Sequence, residues 1–290
     1  MSVKVLHFTD PACPWAYSAS PALAALRWRF GDQLAWQTVT IGLSEDLKRY
    51  ENSPFTPTVS ATRRIDFRER FGMPFVTAAR ERHVASGRAC RAIVATRLRQ
   101  PDREYAVFRA LQFGWATTTL LMDTDDGIRA AIADVAGIDA DAIIGALDSP
   151  EVAEAYEVDR ALTRSAAGSP TEAMGRASNR DGEVRYTAPS LVFELDGRRL
   201  DAGGFQPVEA YDVCLANLAP ELERRPPAAG AAEALTAFPD GLTSQEVAAV
   251  MAERLGRVDR VAAESSLIEA AAEGRARRRP LADDALWQPV

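Results

Sequence analysis

The chain has 290 residues, 47 % of them hydrophobic, with a net charge of −7 and a pI near 5.1. That length and composition can bury a sizeable core in one elaborated domain or two, and the acidic balance excludes bulk attraction to nucleic acid or to an anionic membrane surface. Three cysteines, Cys13, Cys90 and Cys214, and two histidines, His7 and His83, provide neither a disulfide framework nor a metal-ligand cluster, so no metal is expected.

The N-terminal segment carries one lysine and a short apolar run before Asp10 and Pro11, without the apolar core and cleavage site of a signal peptide. No stretch approaches the roughly 20 apolar residues of a membrane span. A cytoplasmic chain with no membrane partner is the expectation. Val3 to Phe8 reads as a strand, and Leu23, Leu26 and Phe30 are spaced for one buried face of a helix. Between them, Cys13 falls at the helix start, where unpaired backbone N–H groups and the helix dipole favour a thiolate. Such placement lowers a cysteine pKa from about 8.5 to somewhere between roughly 3.5 and 7.5. Pro14 suits the first helical turn, and Pro21 is expected to kink the helix. Trp15 reads as an apolar wall beside the sulfur, or as packing. Asp10 reads as a cap of the helix start, with the alternative of raising the thiol pKa by repulsion. Tyr17 and Ser18, one turn on, are within reach for hydrogen bonds to the sulfur.

Leu34 to Ile41 reads as a second strand, so the chain opens with a strand–helix–strand unit of α/β type. From Ser44 to Pro57 the pattern is broken, and helices are then expected near 58–71, 84–99, 103–117, 124–135, 139–148 and 150–166. Sheet signals return at Tyr186 to Glu194, followed by an Asp196-Gly197 turn, a short run Arg198 to Asp201 and a helix from Pro207 to Leu218. An all-helical insertion therefore divides an α/β domain. His7 is expected to be a satisfied core histidine and His83 a solvated one, with Cys90 and Cys214 as buried, inert thiols.

Beyond Glu221, Arg224-Arg225-Pro226-Pro227 and an alanine-rich stretch read as a linker. Thr243 to Glu246 is a capping box that opens a helix with Val247, Val250, Met251 and Leu255 on one face. A second helix covers about Asp259 to Glu273, and the segment around Arg275–Arg279 and Leu286–Gln288 reads as a two-stranded wing, giving a small winged-helix-like module. Residues 230–290 hold seven arginines against ten acidic residues, a net charge of −3. A DNA-reading surface should neutralise phosphates, which argues against DNA and leaves a packing or dimerisation module, with a homodimer as one expected state.

The first strand, the Cys13-Pro14-Trp15-Ala16 helix start, Pro21 and the late Ala188-Pro189 together resemble the DsbA-like branch of the thioredoxin superfamily, which includes the FrnE-type oxidoreductases and the 2-hydroxychromene-2-carboxylate isomerases. The resemblance covers about residues 1–60 and 165–220 by motif, and the insertion by position. It implies a thioredoxin-like fold in two halves, 1–60 and 165–222, around a helical insertion at 61–164 that roofs the active-site groove, followed by a linker at 223–236 and the module at 237–290. It also implies a cis-proline at Pro189, with Thr187 and Ala188 presenting backbone to a bound peptide or thiol. The chain departs from the Cys-x-x-Cys pattern of that branch at Ala16, which cannot resolve a mixed disulfide. The expectation is a monothiol thiol–disulfide oxidoreductase in which Cys13 reacts and a low-molecular-weight thiol serves as co-substrate, with no bound cofactor. The alternatives are a thiol-dependent isomerase or transferase, and a non-catalytic redox-responsive binding protein.

Overall fold

The computed structural model of the protein describes residues 2–51, 53–179, 182–253 and 256–290. Its central sheet is made from β1 (Val3–Thr9), β2 (Leu34–Thr40), β3 (Ser190–Leu195) and β4 (Arg198–Ala202), in the order β2-β1-β3-β4. β1 runs parallel to β2 and antiparallel to β3, so the first strand made lies inside the sheet, flanked on both sides. The two inner strands are apolar on both faces, as strands covered on both sides must be. Val3, Val5, Leu191 and Phe193 pack to one side against α2 (Ser20–Phe30) and α10 (Val208–Leu218), while Leu6, Phe8 and Val192 pack to the other with Val39, Ile41 and Tyr186. The β3–β4 turn has positive φ at both Asp196 and Gly197, which matches the twist of a two-residue hairpin.

The helix that follows β1 is interrupted. α1 spans Pro14–Ser18, and α2 restarts at Ser20, so the break falls at Ala19 and Pro21 sits in the opening turn of α2. A proline is accommodated there without losing a hydrogen bond. The third strand also begins later than expected, at Ser190, because Tyr186 to Pro189 turn away from the ladder, and Thr187 O instead accepts from Ser190 Oγ at 2.7 Å.

The insertion comprises α3 (Pro57–Phe71), α4 (Gly87–Arg99), α5 (Glu104–Thr117), α6 (Asp125–Ile132), α7 (Ala140–Ala146) and α8 (Pro150–Thr163), followed by a short α9 (Pro170–Ala173). α3, α8 and α9 open with a Ser or Thr side chain that accepts a backbone N–H, followed by a proline. α3 begins before residue 60, so the expected boundary between the first half-domain and the insertion cuts through a helix. α4 to α8 share a core around Ile93, Phe108, Leu111, Ile128 and Tyr156. Asp159 of α8 fastens this core to β2 by accepting both the N–H and the hydroxyl of Thr40 at 2.8 Å, and Arg97 pairs with the same carboxylate at 2.9 Å.

The stretch 223–236 is not all linker. Residues 231–236 form α11 (Ala231–Thr236), because Ala231, Ala234 and Leu235 make one apolar side that the C-terminal module buries, and alanine favours a helix. The module continues with β5 (Leu242–Thr243), α12 (Ser244–Met251), α13 (Arg260–Ala272), β6 (Ala276–Leu281) and β7 (Asp284–Pro289), with its three strands in the order β5-β7-β6. Leu255 lies outside the described residues. The module's core takes in Ala24 and Trp28 of α2, and Trp28 Nε1 donates to Pro226 O at 2.8 Å. Glu246, the glutamate of the capping box at Thr243, also pairs with buried Arg109 of α5 at 2.6 Å. The β6–β7 hairpin tip rests on the insertion, with Leu281 and Leu286 beside Met73 and Phe75, and with Asp283 Oδ1 accepting the Phe75 N–H at 3.2 Å. Among the described residues no helix is long and apolar enough to cross a membrane.

Candidate active site

Cys13 is the residue immediately before α1, and the chain reaches it through a tight turn in which its N–H donates to Asp10 O at 3.1 Å. The sulfur is 6 % exposed and its S–H donates to Ala188 O at 3.2 Å. The Ala188–Pro189 bond is cis, and this juxtaposition joins two stretches 175 residues apart. Burial pushes the Cys13 thiol up to about 12, against the pull of the Ala16 and Trp15 N–H groups at the helix start; Asp10 adds to the rise and Arg185 opposes it weakly. The lowered pKa expected from helix placement alone is therefore reversed in this state. The Ala16 and Trp15 N–H groups favour the thiolate, and desolvation outweighs them.

The neighbours of Cys13 fall into two groups. Pro14 occupies the first turn of α1, and Ala16 is buried under it. Trp15 is 41 % exposed and meets Phe67, Phe71 and Phe205 edge-on at 5.0 to 5.8 Å, forming an aromatic wall shared with α3. Tyr17 points away from the sulfur into a cluster with Phe75 and Phe113, and its hydroxyl and that of Ser18 have no hydrogen-bond partner among the described residues. Neither donates to the thiol.

Asp10 does not cap α1. Its Oδ1 accepts from Ala12 N–H at 2.9 Å, and its Oδ2 accepts from Leu43 N–H at 2.8 Å and from the Ser86 hydroxyl at 2.9 Å, with Cys90 Sγ at 3.6 Å. The carboxylate is fully buried, and burial raises its pKa against these donors. It locks the turn before Cys13 to the loop after β2 and to the start of α4. Gly42 makes the lock possible: its φ of +65° suits glycine, and a Cβ there would meet the Tyr156 hydroxyl at 2.1 Å. Cys90 is fully buried and burial holds its thiol well above the usual value, while Cys214 is half-buried. Thr187 Oγ1 donates to Arg176 O at 2.9 Å, and Pro189 is buried.

A groove of about 770 Å³ opens over Cys13 and Trp15. Its walls come from residues 48–50 and 53–55, from Pro57, Ser60, Arg63, Arg64 and Phe67 of α3, and from the segments around 80–84 and 115–116, so α3 and the segment leading to α4 close the site from above. Lys48, Arg49, Arg63, Arg64, Arg80 and Arg82 line it, and no acidic residue does. Arg82 is paired with Asp123 at 2.6 Å. Arg63 instead stands over the Phe55 ring at 4.1 Å, Arg64 donates to Val76 O at 3.3 Å, and Arg80 donates to the carbonyls of Trp115 in the last turn of α5 and of Thr118 and Leu120 just after it. Burial pushes Arg80 down to about 9, with the neighbouring Arg64 charge adding to the effect. None of these three arginines has a carboxylate within ion-pair distance among the described residues.

These groove residues are spread over separate loops, and the composition of any one loop does not reveal them. The one local signal was the arginine-rich face of 63–70. His83, expected to be solvated, is half-buried and stacked on Tyr50 at 4.5 Å in the wall of the groove. His7 is buried as expected but is not satisfied: neither ring nitrogen has a partner among the described residues, and the ring meets Trp36 and Phe108 edge-on. Burial and the Arg27 charge lower its pKa to about 3.

A cysteine at a helix start facing a cis-proline, on a β-α-β unit divided from a β-hairpin and helix by an all-helical insertion, defines a DsbA-like thioredoxin fold. The sequence profile of the DSBA-like thioredoxin domain matches residues 4–185, and the chain belongs to that family. Among solved structures it is similar to a candidate protein disulfide isomerase from Nitrosomonas europaea, at 18 % identity and a TM-score of 0.57, over 75 % of this chain and 97 % of that one. A candidate DsbA oxidoreductase from Streptomyces coelicolor is similar at 18 % identity and a TM-score of 0.54, over 78 % of this chain and 92 % of that one. The cytosolic disulfide reductase DsbM from Pseudomonas aeruginosa is similar at 18 % identity and a TM-score of 0.49, over 74 % of this chain and 98 % of that one. At these identities the likeness is one of fold, the fold of DsbA-like thiol–disulfide oxidoreductases. No curated protein matches the sequence.

Proposed function

We propose that the protein is a cytoplasmic monothiol thiol–disulfide oxidoreductase whose co-substrate is an anionic low-molecular-weight thiol. Cys13 attacks one sulfur of a disulfide and expels the other as a thiol, which leaves Cys13 in a mixed disulfide. A molecule of the small thiol then attacks that bond, freeing Cys13 and leaving with the bound group as a new disulfide. The observation that carries the reading is the groove over Cys13, lined by six cationic residues and no acidic one in a chain of net charge −7. Such a lining attracts carboxylate-bearing thiols and holds them beside the sulfur. Ala16 leaves the second step to solution thiol. Because burial is the largest cause of the high Cys13 pKa, hydration of the opened groove removes it and leaves the Ala16 and Trp15 N–H groups to favour the thiolate. The element order of the C-terminal segment supports a winged-helix-like module, here used for packing because its hairpin tip is docked on the insertion.

A second reading draws support from the resting thiol, which is protonated and donates to Ala188 O. In a thiol-dependent isomerase or transferase the helix start would hold the thiolate of the co-substrate and Cys13 would only donate to it. One experiment separates the two. The protein is exposed to oxidised glutathione, and the adduct is located by mass spectrometry in wild type and in Cys13→Ser. The oxidoreductase requires an adduct on Cys13 that excess reduced thiol removes and that Cys13→Ser lacks. An unmodified Cys13 under conditions that exchange free cysteine would sink that reading. Ala16→Cys should make the product resolve without added thiol.

A further inference from the structure

A second and larger groove, of about 1260 Å³, lies where α2, β2, α5 and the C-terminal module meet, and it shares no lining residue with the groove over Cys13. Arg27 lines it from α2, its guanidinium held between the rings of Trp36 and Tyr105 at 3.9 Å from each. Among the described residues no carboxylate lies within ion-pair distance of Arg27, whereas the nearby Arg109 is already matched by Glu246. A cation drawn out of water without a counter-ion is unfavourable, and the two ring faces offset only part of that cost. Arg27 Nε and Trp36 Nε1 are buried donors with no hydrogen-bond partner among the described residues. Arg29 and Arg225 line the same groove and also lack a carboxylate, Arg225 standing over Trp28 at 4.3 Å. The groove's own acids do not fill the gap: Asp134 and Asp240 are taken by Arg279 and Arg103 at 2.6 and 2.7 Å, and Asp32 and Glu223 are exposed at its edge.

We propose that this groove binds a small organic anion, with a phosphate or carboxylate group held by Arg27 and Arg225 and an apolar body lying toward Phe238. The volume suits an organic ligand better than a bare ion, and a guanidinium already fixed between two rings loses little freedom on gripping an oxyanion. The ligand would touch the thioredoxin-like domain, the insertion and the C-terminal module at once, so its binding stabilises their assembly.

The test titrates phenyl phosphate and phenylacetate into the full chain, read by calorimetry and by the shift in thermal midpoint. Saturable binding by at least one probe is expected, with a midpoint that rises with concentration. Arg27→Met and the exposed Arg225→Gln should each weaken it at least tenfold, while Arg63→Gln in the Cys13 groove leaves it unchanged. Should Arg27→Met lower the midpoint of the free protein, Arg225→Gln and Trp36→Phe, which keeps a ring and removes a donor, carry the comparison. The proposal is overturned if neither probe binds saturably at millimolar concentration, or if binding is lost in Arg63→Gln and kept in Arg225→Gln. Failure of both probes leaves disulfide exchange at Cys13 untouched, whereas binding lost in Arg63→Gln would place the anion in the Cys13 groove instead.

Discussion

Where the C-terminal module meets the rest of the chain, three guanidinium groups outside the Arg27 cluster are matched by carboxylates: Arg109 by Glu246, Arg224 by Asp212, Arg279 by Asp134. Over Cys13, where Arg82 is paired with Asp123, three other arginines are held in another way, Arg80 and Arg64 by backbone carbonyls and Arg63 by the Phe55 ring. A carbonyl or an aromatic face holds a guanidinium in place without cancelling its charge. The two regions use the same side chain for opposite ends. In those three junction pairs the charge is cancelled inside the protein, and on Arg63, Arg64 and Arg80 it is not.

The sharpest way to test that contrast is to remove one arginine from each region. Arg109→Met leaves Glu246 buried and unpaired, and urea denaturation should show a loss of about 3–5 kcal/mol; Arg63→Gln should change stability by less than about 0.5 kcal/mol. His7 extends the comparison to a buried group with no hydrogen-bond partner among the described residues. Its pKa is depressed from 6.5 to about 3, so the unfolded state takes up a proton first as the pH falls. The stability it confers is complete above pH 6.5 and is lost progressively toward pH 3, amounting to about 2 kcal/mol by pH 5. His7→Leu should flatten the pH dependence of unfolding across that window.

Charge selectivity follows in size. Arg64→Met should lower kcat/KM for oxidised glutathione about tenfold, equivalent to about 1.4 kcal/mol, and leave the rate with the cationic disulfide cystamine unchanged or higher; equal losses on both would break the contrast. The smallest effect is expected at Asp10. Since its charge adds to a rise caused mainly by burial, Asp10→Asn should shift the Cys13 alkylation profile to lower pH by less than about one unit.

Much of the fold was legible because β1, α2 and β2 are each written in a clear local pattern, and because the capping box at Thr243 marks a helix start. The position of Cys13 was legible for the same reason. Its ionisation was not, because local sequence reports the helix start but not the burial of the folded thiol, whose hydrogen-bond partner Ala188 lies 175 residues away. Asp10 misled in a similar way: its spacing to Cys13 suggests a cap, and its partners Leu43 and Ser86 come from two other segments. The helix at 231–236 was hidden because an alanine-rich run after Arg-Arg-Pro-Pro looks like a spacer until the module that buries it is assembled.

The pairing of β1 with both β2 and β3 has a consequence for the order in which the protein can be completed. During synthesis β1 finds β2 early, at Val3 against Leu34, but its other edge waits for Ser190 to Leu195 to emerge. Until then the nascent chain carries an apolar strand with one row of open hydrogen-bonding groups, a template for wrong partners. Even after the sheet closes, the cover that the C-terminal module gives Ala24 and Trp28 of α2 waits for residues as late as Trp287. The segment made first is finished last.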